Sequence, residues 1–255
     1  MRLYHRELGA ASQPVVIMIH GLFGASTNWM GVAPKLAEHY RLILPDLRNH
    51  GRSPHDARMD YPAMAADLLE LMDDLALESA ALVGHSMGAK AAMWLALHEP
   101  GRVDRLMSVD MAPVAYDHDF GPLLDAMRSL DLTHLQSRRQ ADAHMARTLP
   151  DPALRQYLLQ NLVKEARGWR WRVNLQAIET GLDAILGFPD AEGREYPGAA
   201  WFVYGTESSY VTPDRVPLIR RLFPLARLRP VSGAGHWLYN ERPDAFVAIA
   251  KSFLS

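Results

Sequence analysis

The chain has no cysteine among its 255 residues. This absence excludes a disulfide framework, a thiolate metal site and a cysteine nucleophile, and it is compatible with a reducing compartment. Long hydrophobic runs are also missing. The most apolar stretch near the N-terminus, Val15–Ile19, is far too short to span a bilayer, and residues 1–7 lack the apolar run of a signal peptide. We therefore expect a cytoplasmic protein without stable membrane insertion.

An excess of one charge is missing too, because the net charge is only −2 at pH 7. A net charge this small gives no strong electrostatic field, so we expect no nucleic-acid partner. The group His50, His55 and Asp56 matches no familiar metal-ligand spacing, so we expect no metal site. Apolar residues make up 49% of the chain and charged residues 22%, which is typical of one globular domain of this length. The sequence carries no prediction of the oligomeric state.

Short β-branched runs alternate with helical patterns over residues 1–112, and this alternation predicts the fold class. Buried strands are predicted at 15–19, 42–44, 81–83 and 106–109, with helices at 61–75 and 89–98. The strand signal fades after residue 112, where helices are predicted at 123–130, 138–148, 153–166 and 175–186. Strands return at 200–204 and 226–231, before a helix at 244–253. We predict an α/β fold with a mostly parallel sheet flanked by helices, formed by 1–112 and 199–255, with a helical lid at 113–198.

The segment Leu82-Val83-Gly84-His85-Ser86-Met87-Gly88 is an apolar strand that runs into a Gly-x-Ser-x-Gly turn, and a helical pattern follows it. In that context the turn presents its serine at a helix N-terminus, where backbone N–H groups favour developing negative charge. Ser86 is therefore the candidate nucleophile.

A serine hydroxyl needs a base to accept its proton and a further group to orient that base. The candidate base is His236, which follows the strand at 226–231 in a glycine-containing loop. The candidate acid is Asp110, at the end of the strand at 106–109, because a carboxylate there is costly unless it has a partner. Glu207 is a rival for this role and Asp214 a more distant one. Ser208, in the loop after the strand at 200–204, is a candidate fourth member.

Backbone N–H groups must also face the carbonyl oxygen of a substrate as it becomes charged. We expect one from Met87, directly after the nucleophile, and one from Leu22 in the loop after the first buried strand. Phe23 beside it, together with His85 and Trp237, is a candidate for substrate binding. A triad of this kind needs no cofactor.

The chain resembles the α/β-hydrolase superfamily over nearly its full length. Four pieces carry this resemblance: His20-Gly21-Leu22-Phe23-Gly24, Asp46-Leu47-Arg48-Asn49-His50-Gly51-Arg52-Ser53, Gly84-His85-Ser86-Met87-Gly88 and Gly233-Ala234-Gly235-His236-Trp237. Other pieces resemble the small lidded bacterial esterases that have mitochondrial relatives in animals: Tyr61-Pro62-Ala63-Met64-Ala65, Val109-Asp110-Met111-Ala112-Pro113-Val114 and Ser208-Ser209-Tyr210-Val211. In that subfamily the triad acid follows the earlier strand, which favours Asp110, and a serine at the usual acid position is shared. Glu207 departs from the subfamily, whose members tend to have an uncharged residue there.

The resemblance implies hydrolysis of small-molecule acyl esters by a serine carboxylesterase, with acyl thioesters such as acyl-CoA as a further substrate class. Two alternatives stay open. One is a related triad hydrolase that acts on C–C bonds or lactones or as a perhydrolase, and the other is a ligand receptor built on a hydrolase scaffold.

Overall fold

The computed structural model describes all residues, 1–255. Its strands are β1 His5–Leu8, β2 Val15–Ile19, β3 Arg41–Pro45, β4 Ala80–His85, β5 Val103–Val109, β6 Leu162–Glu165, β7 Gly168–Trp171, β8 Ala199–Gly205 and β9 Ala226–Val231. Its α-helices are α1 Ala33–Leu36, α2 Tyr61–Asp74, α3 Met87–His98, α4 Gly121–Arg128, α5 Arg138–Met145, α6 Pro152–Leu159, α7 Leu175–Thr180, α8 Leu182–Leu186, α9 Val216–Leu222, α10 Leu238–Glu241 and α11 Pro243–Leu254. No helix is both long enough and apolar enough to cross a membrane.

Seven strands form one sheet in the order β1-β3-β2-β4-β5-β8-β9. All neighbours in it are parallel except β1 and β3. The sheet is mostly parallel, as the alternation of strands and helices predicts. Strand β1 was not predicted from the sequence, because it is a short polar edge strand without an apolar run.

Both faces of the sheet are buried. Along β2, Ile17 and Ile19 pack in one apolar cluster with residues of α2 and α3, whereas Val16 and Met18 pack in a second cluster with residues of α1 and α11. Successive side chains of a strand point to opposite faces, so a strand that is apolar throughout must be covered on both sides.

Residues 113–198, which we call the connecting segment, lie between β5 and β8 and add no strand to the main sheet. Two predictions for this segment are wrong. The helix predicted at 153–166 ends at Leu159, and β6 then pairs antiparallel with β7, whose first residue, Gly168, has φ 119°. The helix predicted at 175–186 divides into α7 and α8 at Gly181, where a Cβ atom would lie 2.7 Å from the backbone oxygen of Met59.

The parallel strands of the main sheet all end at one edge, which gathers the loops that follow them. The loops after β2, β4, β5, β8 and β9 carry Leu22, Ser86, Asp110, Ser208 and His236 respectively. Ligand sites of open α/β sheets lie outside this carboxyl edge. Residues that are far apart in the sequence are therefore neighbours here.

Candidate active site

Ser86 lies between β4 and α3 in a strained backbone conformation, with φ 53° and ψ −121°. Its N–H donates to the backbone oxygen of Val109, 3.1 Å away on the neighbouring strand. The glycines on either side are needed for close backbone approach. A Cβ atom on Gly84 would lie 2.5 Å from the oxygen of Gly88, and one on Gly88 would lie 2.4 Å from the oxygen of His20. The sharp turn therefore projects the serine away from the core, as the motif predicts.

The His236 ring is held from several sides. Its Nδ1 lies 2.7 Å from Oδ2 of Asp110, and its plane stacks on Tyr210 with 4.0 Å between ring centroids. The backbone oxygen of His236 accepts from Nε2 of the buried His85 ring at 3.0 Å. Because Nδ1 faces a carboxylate, the geometry leaves Nε2 as the free nitrogen of the His236 ring.

Asp110 is fully buried, and each of its carboxylate oxygens accepts hydrogen bonds. The N–H of Gly205 donates to Oδ1 at 3.1 Å, and the Ser208 hydroxyl donates to Oδ2 at 2.5 Å. The rival acids Glu207 and Asp214 are both exposed, and neither makes a hydrogen bond or ion pair with His236. Of the three carboxylates considered from the sequence, Asp110 is the one that contacts the ring.

The loop after β2 lies against Ser86, since a Cβ atom on Gly21 would lie 3.1 Å from that of Ser86. The next residue, Leu22, has a backbone N–H that donates to no group of the protein. Its carbonyl accepts from the hydroxyl of Tyr157 at 2.8 Å. A buried N–H without a partner is uncommon in folded proteins. This one is available to an acceptor beside Ser86, as is that of Met87 at the first position of α3, where helices leave N–H groups free.

Two buried histidines fix this loop from the protein interior. His50 accepts from the N–H of Phe23 at 3.1 Å, and His20 accepts from the N–H of Leu47 at 3.0 Å. Burial lowers the pKa of His50 to about 3, and burial also lowers the pKa of His20. Both rings are therefore neutral near pH 7 and can act as acceptors.

Two cavities meet beside Ser86. We call the first the histidine cavity, because it is lined by His236 with His85, Phe23, Leu154, Tyr157 and Trp237. We call the second the lysine cavity, because it is lined by Lys90 with Met87, Tyr61, Tyr116, His118 and Leu186. The candidate substrate-binding residues Phe23, His85 and Trp237 all line the histidine cavity, although the His85 side chain is almost wholly buried. In this structure no hydrogen bond joins the Ser86 hydroxyl to His236, whose Nδ1 faces Asp110.

Lys90 is the residue of this region that sequence reasoning missed. Its side chain is 1% exposed, and its ammonium donates to the backbone oxygens of Leu186 at 2.8 Å and Gly187 at 2.7 Å. Burial lowers the pKa of Lys90 to about 7. A signal was present, since one lysine stands in an otherwise apolar helix four residues after the nucleophile. No group of three or more His, Asp or Glu side chains gathers anywhere in a way that could hold a metal ion.

Comparison with known proteins identifies the family of the chain. The alpha/beta hydrolase fold family matches it over residues 14–243. The chain belongs to the α/β-hydrolase family. This match confirms the superfamily and the fold class that were inferred from the motifs.

Relatives of this α/β-hydrolase carry names of ester-cleaving enzymes. An sn-1-specific diacylglycerol lipase of Xenopus tropicalis is 39% identical over 247 residues, which cover 94% of this chain and 77% of that protein. An esterase of Escherichia coli is 35% identical over 243 residues, covering 94% of this chain and 92% of that one. The solved structure of a marine microorganism esterase superposes with a TM-score of 0.95 at 34% identity, covering 99% of both chains.

Proposed function

We propose that this α/β-hydrolase is a serine carboxylesterase that works through a triad of Ser86, His236 and Asp110. The observation that carries the proposal is the pair of contacts on one carboxylate oxygen. Oδ2 of Asp110 lies 2.7 Å from the His236 ring and accepts from Ser208, and that ring lines the same cavity as Ser86. A nucleophile, a base and a buried group that orients the base are the parts that this chemistry needs.

Relatives of the chain support ester hydrolysis independently of the triad. The chain is an ester-hydrolysing enzyme, because relatives that it matches over more than nine tenths of its length are named esterase and diacylglycerol lipase.

In the proposed first step, Oγ of Ser86 attacks the acyl carbon and its proton passes to Nε2 of His236. The carbonyl oxygen becomes an oxyanion, which the N–H groups of Leu22 and Met87 stabilise. The oxyanion then collapses, the bond from carbon to the leaving oxygen breaks, and His236 returns its proton to that oxygen. The products of this step are a free alcohol and an acyl ester of Ser86.

In the second step a water molecule replaces the alcohol. His236 takes one proton from the water as the hydroxide attacks the acyl carbon, and the bond to Oγ of Ser86 then breaks. The proton on His236 passes to Oγ, which releases the carboxylic acid and restores the enzyme. Asp110 holds the ring and balances its charge in both steps, and Ser208 holds Asp110.

We also propose that the connecting segment acts as a lid. Several of its side chains form cavity walls beside Ser86, and Tyr157 holds the carbonyl of Leu22. The segment therefore both encloses the site and contacts the backbone that would receive the oxyanion.

The test is steady-state hydrolysis of p-nitrophenyl esters from short to long acyl chains, by the wild type and by Ser86→Ala. We expect multiple turnovers for the wild type and a fall in kcat of roughly a million-fold in the variant. Turnover that survives in Ser86→Ala contradicts the proposed nucleophile. Binding without steady turnover in the wild type would favour a receptor instead.

A further inference from the structure

The histidine cavity and the lysine cavity share the walls nearest the reacting atoms. Leu22, Ser86, Phe120 and Tyr210 line both of them. An ester whose carbonyl carbon is attacked at Ser86 extends on two sides, one toward its acyl chain and one toward its alcohol. The two cavities provide one space for each side.

The position of His236 decides which side is which. His236 lines the histidine cavity and not the lysine cavity. Under the proposed function, the leaving oxygen must receive its proton from this ring, so that oxygen and the chain attached to it lie on the histidine side. The acyl chain then lies in the lysine cavity, which Met87 also lines.

The two cavities differ in size and chemistry. The histidine cavity has a volume of about 110 Å³, and its far walls are the apolar side chains of Leu123 and Leu154 with the aromatic rings of Tyr157 and Trp237. The lysine cavity is the smaller of the two, with a volume of about 30 Å³. A long chain therefore has more room on the histidine side than on the lysine side.

We propose that the lysine cavity is an acyl subsite for short acyl groups and that the histidine cavity is the subsite for a long apolar alcohol. This assignment rests on the proposed function. It makes the preferred substrates short-chain acyl esters of long-chain alcohols, and it makes Lys90 a residue that determines acyl length.

Lys90 is a firm boundary of the acyl subsite. Its ammonium donates to two backbone oxygens at the end of α8 and lies 4.7 Å from the ring centroid of Tyr116 and 5.6 Å from that of Tyr61. An apolar acyl chain that displaced this side chain would break both hydrogen bonds and leave buried polar groups without partners, which is costly. Short acyl groups need no such displacement.

A pair of isomeric esters tests the assignment, because hexyl acetate and ethyl hexanoate have the same atoms and opposite chain placement. We expect kcat/KM of the wild type for hexyl acetate to exceed that for ethyl hexanoate by roughly ten-fold or more. Equal values, or a preference for ethyl hexanoate, would overturn the assignment. Release of acid is followed by titration, so that no chromophore occupies either cavity.

A substitution in the histidine cavity tests whether this cavity holds the alcohol chain of the substrate. Leu154→Phe narrows that cavity, so the ratio of kcat/KM for hexyl acetate to that for ethyl acetate should fall by about ten-fold. Leu132→Phe is the matched control, because Leu132 is also half-buried in the connecting segment but lines neither cavity, and the same ratio should be unchanged in it. If instead Leu154→Phe lowers the ethyl hexanoate to ethyl acetate ratio and spares hexyl acetate, the two subsites are reversed.

The same substrates separate this inference from the function that it rests on. If Ser86→Ala still hydrolyses ethyl acetate, the proposed nucleophile is wrong. If Ser86→Ala is inactive but the wild type prefers ethyl hexanoate, the triad stands and only the subsite assignment fails.

Discussion

At the scale of single residues, the site depends on a carboxylate that is kept away from water. An ionised carboxylate without partners would be very costly in the interior, and the burial of Asp110 is offset by the N–H of Gly205, the hydroxyl of Ser208 and the His236 ring. These donors also define where each oxygen of Asp110 points. A residue with the same shape but different hydrogen-bonding capacity is therefore the sharpest test of its role.

Asp110→Asn is such a change, and we expect it to lower kcat on the order of ten-thousand-fold. The amide that replaces Oδ2 would present N–H to His236, so that Nδ1 would have to accept and Nε2 would carry the proton. A ring in that form cannot accept the proton of Ser86. The measurement is steady-state hydrolysis of a short p-nitrophenyl ester.

Glu207→Gln is the matched control for Asp110→Asn, because it makes the same chemical change at an exposed carboxylate one residue before Ser208. We expect little effect on kcat. A larger loss in Glu207→Gln than in Asp110→Asn would show that Asp110 is not the acid.

At the scale of elements, the loop after β2 is fixed from two directions. The core holds it through His50, which accepts from the N–H of Phe23, and the connecting segment holds it through Asn161, whose Nδ2 donates to the Phe23 oxygen at 2.7 Å. Gln160 donates to the same oxygen at 3.2 Å. Since Phe23 has a positive φ of 60°, these contacts stabilise a backbone conformation that is otherwise unfavourable.

Asn161→Leu removes a donor to this loop while it keeps the branched shape of the side chain. We expect kcat to fall by about ten-fold, because the N–H of Leu22 would be less well oriented toward the oxyanion, which corresponds to about 1.4 kcal/mol of transition-state stabilisation. KM should change little, because Asn161 lines neither cavity. Steady-state kinetics with ethyl acetate separate the two parameters.

Gln156→Leu, on the exposed side of α6, is the control for this change and should leave both kcat and KM unaltered. An Asn161→Leu enzyme with raised KM and normal kcat would mean that the contact serves substrate binding and not the oxyanion. A melting curve of each variant shows whether the fold is intact.

At the scale of the whole molecule, buried neutral histidines make the fold sensitive to acid. Burial lowers the pKa of His20, His50 and His85, and in His85 the neighbouring His236 ring lowers it further. Each ring is neutral in the folded chain but binds a proton in the unfolded chain once the pH falls below its ordinary pKa. The free energy of unfolding therefore decreases as the pH falls, because the unfolded state then binds more protons.

His50→Gln should remove one such contribution. The ordinary pKa of this ring is 6.5, and its value in the fold is about 3, so the stability it contributes is fully present above pH 6.5 and is lost as the pH falls toward 3. We expect the difference in free energy of unfolding between wild type and variant to shrink by about 1.4 kcal/mol per pH unit across that window. Urea unfolding at pH 6, 5 and 4 measures it. A difference that stays constant with pH would show that His50 does not keep a lowered pKa in the fold.

Local sequence alone determined the parallel sheet and the Ser86 turn. It also put Leu22, Asp110 and His236 at strand ends. Apolar runs specify buried strands, and the two glycines around Ser86 permit its turn, so both features depend on residues close together in the chain. The tertiary structure decided what depends on distant partners. It brought Asp110, and not Glu207, into contact with the His236 ring. It formed β6, which pairs with β7, where the end of a helix was predicted. It also brought Asn161 to the backbone of Phe23, 138 residues away. It also placed Lys90 at the second cavity. A side chain finds such partners only when the whole chain packs, because a hydrogen bond in the interior is set by which groups the fold brings within reach and shields from water.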